Sequence, residues 1–471
     1  MTASAIKFGT SGWRGVIAED FTFANVRVAA AAIAHYLVGQ SSHPRVIVGY
    51  DTRFLSEKFA AAAGEILASH GIEVHSTVHP HPTPALAYAI IHDRLHSGIN
   101  ITASHNPAEY NGLKFSTADG APAMPEVTRE VERLVAQVLA EEYSLKGPRF
   151  TAPLYRPADP RPAYLEEIKR KIDLGIIAQA RLKIAYDPLY GTARGYLDEV
   201  LREAGVEVHT LHDYRDVLFS GVGPEPSAPN LAELGKFVKE QNCSIGLATD
   251  GDADRFGIVD SDGSWMQPNY VLGLLADYLI EARKIPGGIA RTVATTHLMD
   301  AVASHHHVPL FQTPVGFKYI GELIKQDKIA IGGEESAGMS IRGHLPEKDG
   351  ILACLLAAEA VARRGISLRQ QLDALFKKVG PYYSERVNMH LKPDVQKKVL
   401  EKLKTDWEHF DSRKVVRIDR TDGLKMMCED GSWVLMRPSG TEPVVRLYCE
   451  APTGAEVSQL MASARTFVSN P

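Results

Sequence analysis

The sequence predicts an α/β protein: three consecutive, similar α/β units followed by a C-terminal α+β unit. Three observations carry that prediction. Strand-like apolar runs alternate with helical stretches over most of the chain, the pattern of layered sheet and helix. One strand–helix–strand order recurs at nearly matching intervals, which reads as an internal repeat. Near residue 380 the alternation gives way to several strands and a final amphipathic helix. The 471 residues exceed the ~100–200 of one ordinary domain, so several cores are expected.

The first copy of the repeat starts at residues 46–51 (VIVGYD), a short run rich in β-branched residues. An alanine-rich helical stretch follows, then residues 71–75 (GIEVH). The second copy runs from KIAYD (183–187) through YGTARGYLDEVLREA to GVEVH (205–209). A looser third copy runs from RTVATT (291–296) through a helix over 300–306 to VPLFQTP (308–314). Each copy is followed by an apolar strand that runs into a polar loop: GINITASHNP at 98, SIGLATDGDADR at 244 and IAIGGEESAG at 329. Ligands of open α/β sheets bind outside the carboxyl ends of strands, so chemistry is sought in these loops. Proline-rich residues 147–164 read as a linker, and SDGSWMQ (261–267) as a turn into a helix. The expected divisions are residues 1–150, 151–262, 263–378 and 379–471, the last with strands at KVVRID and SWVLMRPS.

Composition excludes other classes. With 45% hydrophobic and 23% charged residues the chain is an ordinary globular protein rather than a fibrous or disordered one. Fifty-two Lys and Arg against 57 Asp and Glu give a net charge of -5, so no bulk basic field serves nucleic acid, and anionic ligands need local groups. Four scattered cysteines without a CxxC pair argue against zinc modules and disulfide frameworks. No signal-peptide pattern and no ~18-residue apolar span is present, so a cytoplasmic chain without a membrane partner is expected.

In the first loop Ser104 is a candidate nucleophile, yet neither GxSxG nor SxxK surrounds it, and a helix N-cap is the alternative. In the second, Asp250, Asp252 and Asp254 alternate after an apolar strand, and such like charges need a cation; oxygen ligands imply Mg²⁺ or Ca²⁺. An EF-hand fails, because Arg255 and Ser261 stand where it needs Gly and Glu. The third loop offers Glu334, Glu335 and Ser336 on a glycine-rich bend suited to sugar hydroxyls, or a plain turn. The fourth, Arg437 to Pro443 with Arg446 nearby, combines guanidinium, hydroxyls and glycine in a set that suits phosphate. His305, His306 and His307 diverge in direction and read as a solvated loop or helix end; His79 and His81 read as loop, and Met426–Met427 as packing.

Together TASHNP, DGDADR, GEESAG and RPSGTEP, in this order and spacing, resemble the α-D-phosphohexomutase family of phosphoglucomutases and phosphomannomutases, and GTSGWRG at residue 9 resembles its N-terminal segment. The resemblance covers essentially the whole chain. It implies mixed sheets in three domains plus a C-terminal domain, arranged around a central cleft. It implies Ser104 as phosphoserine and, when phosphorylated, a metal contact beside the ligands Asp250, Asp252 and Asp254. Glu334 and Ser336 would meet sugar hydroxyls, and Arg437, Ser439, Gly440 and Thr441 would clamp phosphate with Arg446 close by. Arg14, Lys114 and Arg255 match positions around the reacting phosphate, and Lys318 one near the sugar. Lys114 and His105 are the candidates for general acid and base.

The implied reaction interconverts hexose 1-phosphate and hexose 6-phosphate by two phosphoryl transfers through a hexose 1,6-bisphosphate, which also primes the serine, with Mg²⁺ as cofactor. The implied partners are small hexose phosphates, and the chain is expected as a monomer or dimer. Glucosamine-directed members read nearer GEQSGH in the third loop and dual mannose/glucose members nearer GEMSGH; here GEESAGMS places Met339 where those end in His. That ranks glucose phosphate first, mannose phosphate or dual use second and glucosamine phosphate third. The rivals are a haloacid-dehalogenase-like phosphatase, which wants Thr where Asp254 stands, and a non-catalytic sugar-phosphate-binding protein, which needs neither phosphoserine nor three carboxylates.

Overall fold

A computed structural model of the chain describes residues 6–140, 154–439 and 444–470. Three mixed sheets and one antiparallel sheet follow one another along the chain. In the first sheet, Arg45–Tyr50 lies between Glu73–Thr77 and Ser97–Ile101, parallel to both, and Tyr110–Thr117 returns antiparallel to Ser97–Ile101. The second sheet repeats the motif. Lys183–Asp187 pairs in parallel with Glu207–Thr210 and Ile245–Thr249, and Phe256–Asp260 turns back. The third repeats it with Gly288–Thr292 between Leu310–Thr313 and Ile329–Glu334, followed by antiparallel Gly338–Ile341. Each polar loop is therefore the bend between a buried parallel strand and its antiparallel return.

The central strands Ser97–Ile101, Ile245–Thr249 and Ile329–Glu334 are buried throughout, which is why they read as unbroken apolar runs rather than alternating ones. Helix Gly350–Arg364 (GILACLLAAEAVARR) is buried from Gly350 to Val361 and belongs to one core with side chains of the second and third units. A helix apolar on all sides must be covered on all sides. Asp349 caps it, accepting from the Leu352 N–H at 2.9 Å. The fourth sheet, with the strand order Tyr383–His390, Val444–Ala451, Trp433–Pro438, Leu424–Cys428, Arg413–Asp419, His409–Phe410, packs helix Gly454–Ser469 on its own core. Trp433, Leu435 and Tyr448 of this sheet also pack on Val293 and Ala294, which seats it on the third unit.

Two local expectations change. Of the proline-rich stretch read as a linker, Tyr155–Ala158 is a strand pairing in parallel with Glu73–Thr77 at the rim of the first sheet, while residues 147–153 lie outside the described residues. His81 is a loop residue as read, buried there with its Nδ1 2.6 Å from the Tyr196 hydroxyl. His306 is no solvated end: its Nε2 lies 2.9 Å from Asp277 Oδ1. Among the described residues no helix is long and apolar enough to cross a membrane.

Candidate active site

The bend after Ser97–Ile101 presents Ser104 with φ of 54°, a left-handed conformation that costs a non-glycine residue and that the surroundings must enforce. No helix follows, so the serine is not a cap. The enforcing group is Arg53, fully buried. Its Nη2 donates to the carbonyls of Ser104 (2.6 Å) and Asn106 (2.5 Å), and its Nη1 to those of Pro107 (2.7 Å) and Tyr110 (3.1 Å). Asp51 pairs with its Nε at 3.1 Å. One guanidinium thus fixes both ends of the loop.

The Ser104 hydroxyl donates to Asp250 Oδ2 at 2.7 Å, joining the first loop to the second. Gly251 permits that approach, since a Cβ there would lie 2.7 Å from the Ser104 carbonyl oxygen. Asp250, Asp252 and Asp254 are all buried, with one carboxylate oxygen of each lying within 4.8 Å of the others'. Lys114 Nζ donates to Oδ2 of both Asp252 and Asp254 at 2.6 Å, and Lys348 Nζ lies 3.0 Å from Asp254 Oδ2. Thr83 also donates to Asp252 Oδ2. Meanwhile Oδ1 of Asp252 and of Asp254 are buried with no hydrogen-bond partner among the described residues. Hard anionic oxygens buried without donors fit a divalent cation such as Mg²⁺.

Charge is tightly arranged around this triad. Burial, then Asp254 and Asp252, push the Asp250 carboxyl well above its ordinary value. Burial acts the same way on Asp254, but Lys114, Lys348 and Arg255 overcome it and hold that carboxyl well below. The Lys114 ammonium, which burial would lower, is held up by Asp252 and Asp254. Burial, then Arg255 and Arg14, push His105 well below its ordinary value, leaving a neutral ring. Arg14, lowered to about 10 by burial and then Arg255, donates from Nη1 to Asn106 Oδ1 at 2.6 Å and so lines up with the serine loop.

Glu334 ends the central strand of the third unit, and its Oε1 accepts the Gly316 N–H at 2.9 Å. Burial raises it to about 7, Glu335 adding to the rise and Lys348 opposing it. Because the folded value exceeds the unfolded one, stability is fullest below about pH 4.5 and falls as pH rises through 7, by about 3 kcal/mol at completion. Glu334→Gln keeps an acceptor for Gly316. It is expected to be the more stable protein at pH 8 and no more stable than the parent near pH 4, read from thermal melts at both. An equal difference at both pH values would refute the buried-carboxylate account.

A cavity of about 430 Å³ lies between the second, third and fourth units, lined among others by Arg255, Glu335, Ser336, Arg386 and Tyr448. It unites the Glu334–Ala337 loop with the fourth sheet; Ser104, His105, Lys114 and the triad do not line it. Lys318 is buried in the first turn of helix Phe317–Lys325, its ammonium lowered by burial, and it makes no hydrogen bond or ion pair among the described residues. In the fourth sheet Arg437 stands directly opposite Arg446. Asp422 Oδ2 lies 2.8 Å from Arg437 Nε and accepts the Val315 N–H at 3.2 Å, tying Arg437 to the loop before Lys318. The Ser439 N–H donates to the Val444 carbonyl at 2.8 Å; Gly440 and Thr441 lie outside the described residues.

Several residues of this site carry little or no sequence signal. Arg53, Thr83, Lys348 and Asp422 act through partners far along the chain. Only the charged PEKDG (346–350) ahead of an apolar run marked Lys348 at all.

Comparison with known proteins follows the same division. Models described as phosphoglucomutase/phosphomannomutase α/β/α domains I, II and III match residues 5–142, 162–263 and 267–379, and the C-terminal domain of that family matches 392–466. A phosphoglucomutase/phosphomannomutase of Thermococcus kodakarensis is 32% identical over 94% of each chain. A Komagataeibacter xylinus phosphoglucomutase is 29% identical, covering 98% of this chain and 91% of its own. The crystal structure of a Thermus thermophilus protein, provisionally named a phosphomannomutase, superposes with a TM-score of 0.87 at 34% identity over 99% of both chains. With the Ser104 loop, the acidic triad and the Glu334 loop on three like bends, the chain belongs to the phosphoglucomutase/phosphomannomutase family and is a phosphohexomutase, an isomerase that moves a phosphoryl group within a sugar phosphate.

Proposed function

We propose that the protein interconverts α-hexose 1-phosphate and hexose 6-phosphate, glucose first, with Ser104 as the phosphoryl carrier and a hexose 1,6-bisphosphate as intermediate and primer. The observation that carries this reading is the Ser104 hydroxyl 2.7 Å from Asp250, inside a buried triad in which Oδ1 of Asp252 and of Asp254 have no hydrogen-bond partner among the described residues. The closer contact of the serine is thus a carboxylate of the acidic triad, with His105 Nδ1 farther off at 3.4 Å, a setting that suits a hydroxyl that arrives phosphorylated beside a cation. A bound Mg²⁺ would neutralise charge on the phosphoryl group in flight.

Asp250, Asp252 and Asp254 would hold that ion. Lys114 and Lys348, ion-paired and charged, balance the carboxylates and stabilise the transferring group, and Arg14 and Arg255 add positive field. In the first transfer the Ser104 Oγ–P bond breaks as phosphorus bonds to the free sugar hydroxyl, whose proton passes to a base while the departing Ser104 Oγ takes one up, and the second transfer reverses both. Lys114 and His105 are the candidates for these proton steps, with burial, Arg255 and Arg14 opposing a charged His105 ring and Asp252 and Asp254 holding Lys114 charged. The bisphosphate then turns within the cleft, and its other phosphate returns to Ser104. Glu334 and Ser336 would orient the sugar hydroxyls, and Arg437, Arg446 and Ser439, with Gly440 and Thr441, would hold the phosphate that is not reacting.

Glucose leads because the third loop reads GEESAG; counted from Gly333, Gly338 rather than Met339 takes the place of the histidine in GEMSGH and GEQSGH, so the loop offers the sugar no imidazole there. A few hydroxyl contacts distinguish such sugars, so mannose phosphate is the second reading. Initial rates on the 1-phosphates of glucose, mannose and glucosamine, with Mg²⁺ and a trace of glucose 1,6-bisphosphate, are expected to be highest for glucose and to vanish with chelator. Isomerisation of none of the three would overturn the reading, and a faster rate on glucosamine would overturn the ranking.

A further inference from the structure

The clamp arginines Arg437 and Arg446 are cross-strand neighbours, and Arg446 is in turn opposite Asn388 on strand Tyr383–His390. Directly paired residues of an antiparallel sheet share a face, and so do residues two apart on one strand. Arg386, opposite Tyr448, therefore stands on the same face as Arg446 and Arg437, one diagonal step along it. Trp433, Leu435 and Tyr448 turn this face toward the third unit.

Arg386 lines the 430 Å³ cavity together with Arg255 from the metal loop and Ser336 from the sugar loop. Its guanidinium carbon lies 5.7 Å from the Tyr448 ring centroid, and it makes no hydrogen bond or ion pair among the described residues. Arg255, by contrast, is near Glu225, at 3.8 Å. An arginine facing a cavity between a sugar loop and a phosphate clamp, with its planar fork of donors unspent, is equipped to take phosphate oxygens. Its positive field also reaches His105, which places it within electrostatic range of the reacting loop.

We propose that Arg386 is a substrate-binding residue that donates to oxygens of the non-reacting phosphate, extending the clamp along the sheet face toward the sugar loop. The proposal rests on the mutase reading above. It also answers a geometric demand of that reaction. A phosphate on C6 hangs from an additional methylene compared with one on C1, so a clamp serving both needs donors spread over a wider surface than one loop. Arg437, Arg446 and Arg386 form such a spread.

The test compares the full-length parent with Arg386→Met and Arg386→Lys. KM for glucose 1-phosphate comes from initial rates, and the Kd of inorganic phosphate from calorimetry. Arg386→Met is expected to raise both about 10- to 100-fold, the loss typical of a charge-assisted hydrogen bond. Arg386→Lys, which keeps the charge without the fork, is expected to fall between the two. Unchanged melting temperatures exclude a folding defect, and if Arg386→Met melts early the lysine variant decides. Parent-like KM and Kd in an active, folded variant would overturn the proposal while leaving the mutase reading in place. A parent that binds inorganic phosphate through Arg386 but isomerises no hexose phosphate would overturn the mutase reading and keep Arg386 as an anion contact.

Discussion

Ser104→Ala is expected to lower isomerase turnover by at least about 10⁴-fold, the scale of losing an enzyme's nucleophile, while the protein remains folded. The side-chain atoms that meet the Ser104 hydroxyl are Asp250 Oδ2 at 2.7 Å and His105 Nδ1 at 3.4 Å, and neither is an alcohol oxygen that could take its place. The fold should tolerate the change, because the loop is held by its carbonyls through Arg53 rather than by the hydroxyl. Steady-state rates with glucose 1-phosphate and a trace of bisphosphate, beside a thermal melt of each protein, separate loss of chemistry from loss of structure. An alanine variant with appreciable turnover would remove the serine from the mechanism.

Arg53→Met should damage both stability and turnover. It removes the buried partner of Asp51 and withdraws donors from the carbonyls of Ser104, Asn106, Pro107 and Tyr110 at once. Breaking a buried ion pair from one side costs about 3–5 kcal/mol, because the other charge stays buried and unanswered. The left-handed turn at Ser104 loses its clamp as well, so turnover should fall further than stability alone explains. Arg53→Lys should recover part of the stability and little of the turnover, since one ammonium cannot reach carbonyls spread over both ends of the loop. Urea unfolding and kcat of the three proteins check this, and a methionine variant as stable and active as the parent would contradict it.

The three loops were legible because each places a concentrated set of polar residues directly after a buried strand, a local pattern that survives without coordinates. Asp250, Asp252 and Asp254 converge as their spacing indicated, and Ser104 meets Asp250 across 146 positions of chain. What supports them was not legible. Arg53 and Ser104 are 51 residues apart with no pattern linking them, and Thr83 reaches Asp252 from the start of a helix in a different unit. Tyr155–Ala158 was read as linker because Pro157 marks a breaker; proline is tolerated there because the strand lies at the rim of its sheet, where one row of backbone donors goes unused. Arg386 escaped notice because an arginine in an alternating strand reads as an exposed face, and only the register with Tyr448 and Arg446 shows which face it is.

The central claim is that Ser104 carries the phosphoryl group, and peptide mass spectrometry after incubation with glucose 1,6-bisphosphate and Mg²⁺ tests it most directly. The account predicts one added phosphate on the peptide containing Ser104, located on that residue, lost on exposure to excess glucose 6-phosphate and absent from Ser104→Ala. An active enzyme whose Ser104 peptide never gains phosphate, or whose phosphate resides on another residue, would contradict it.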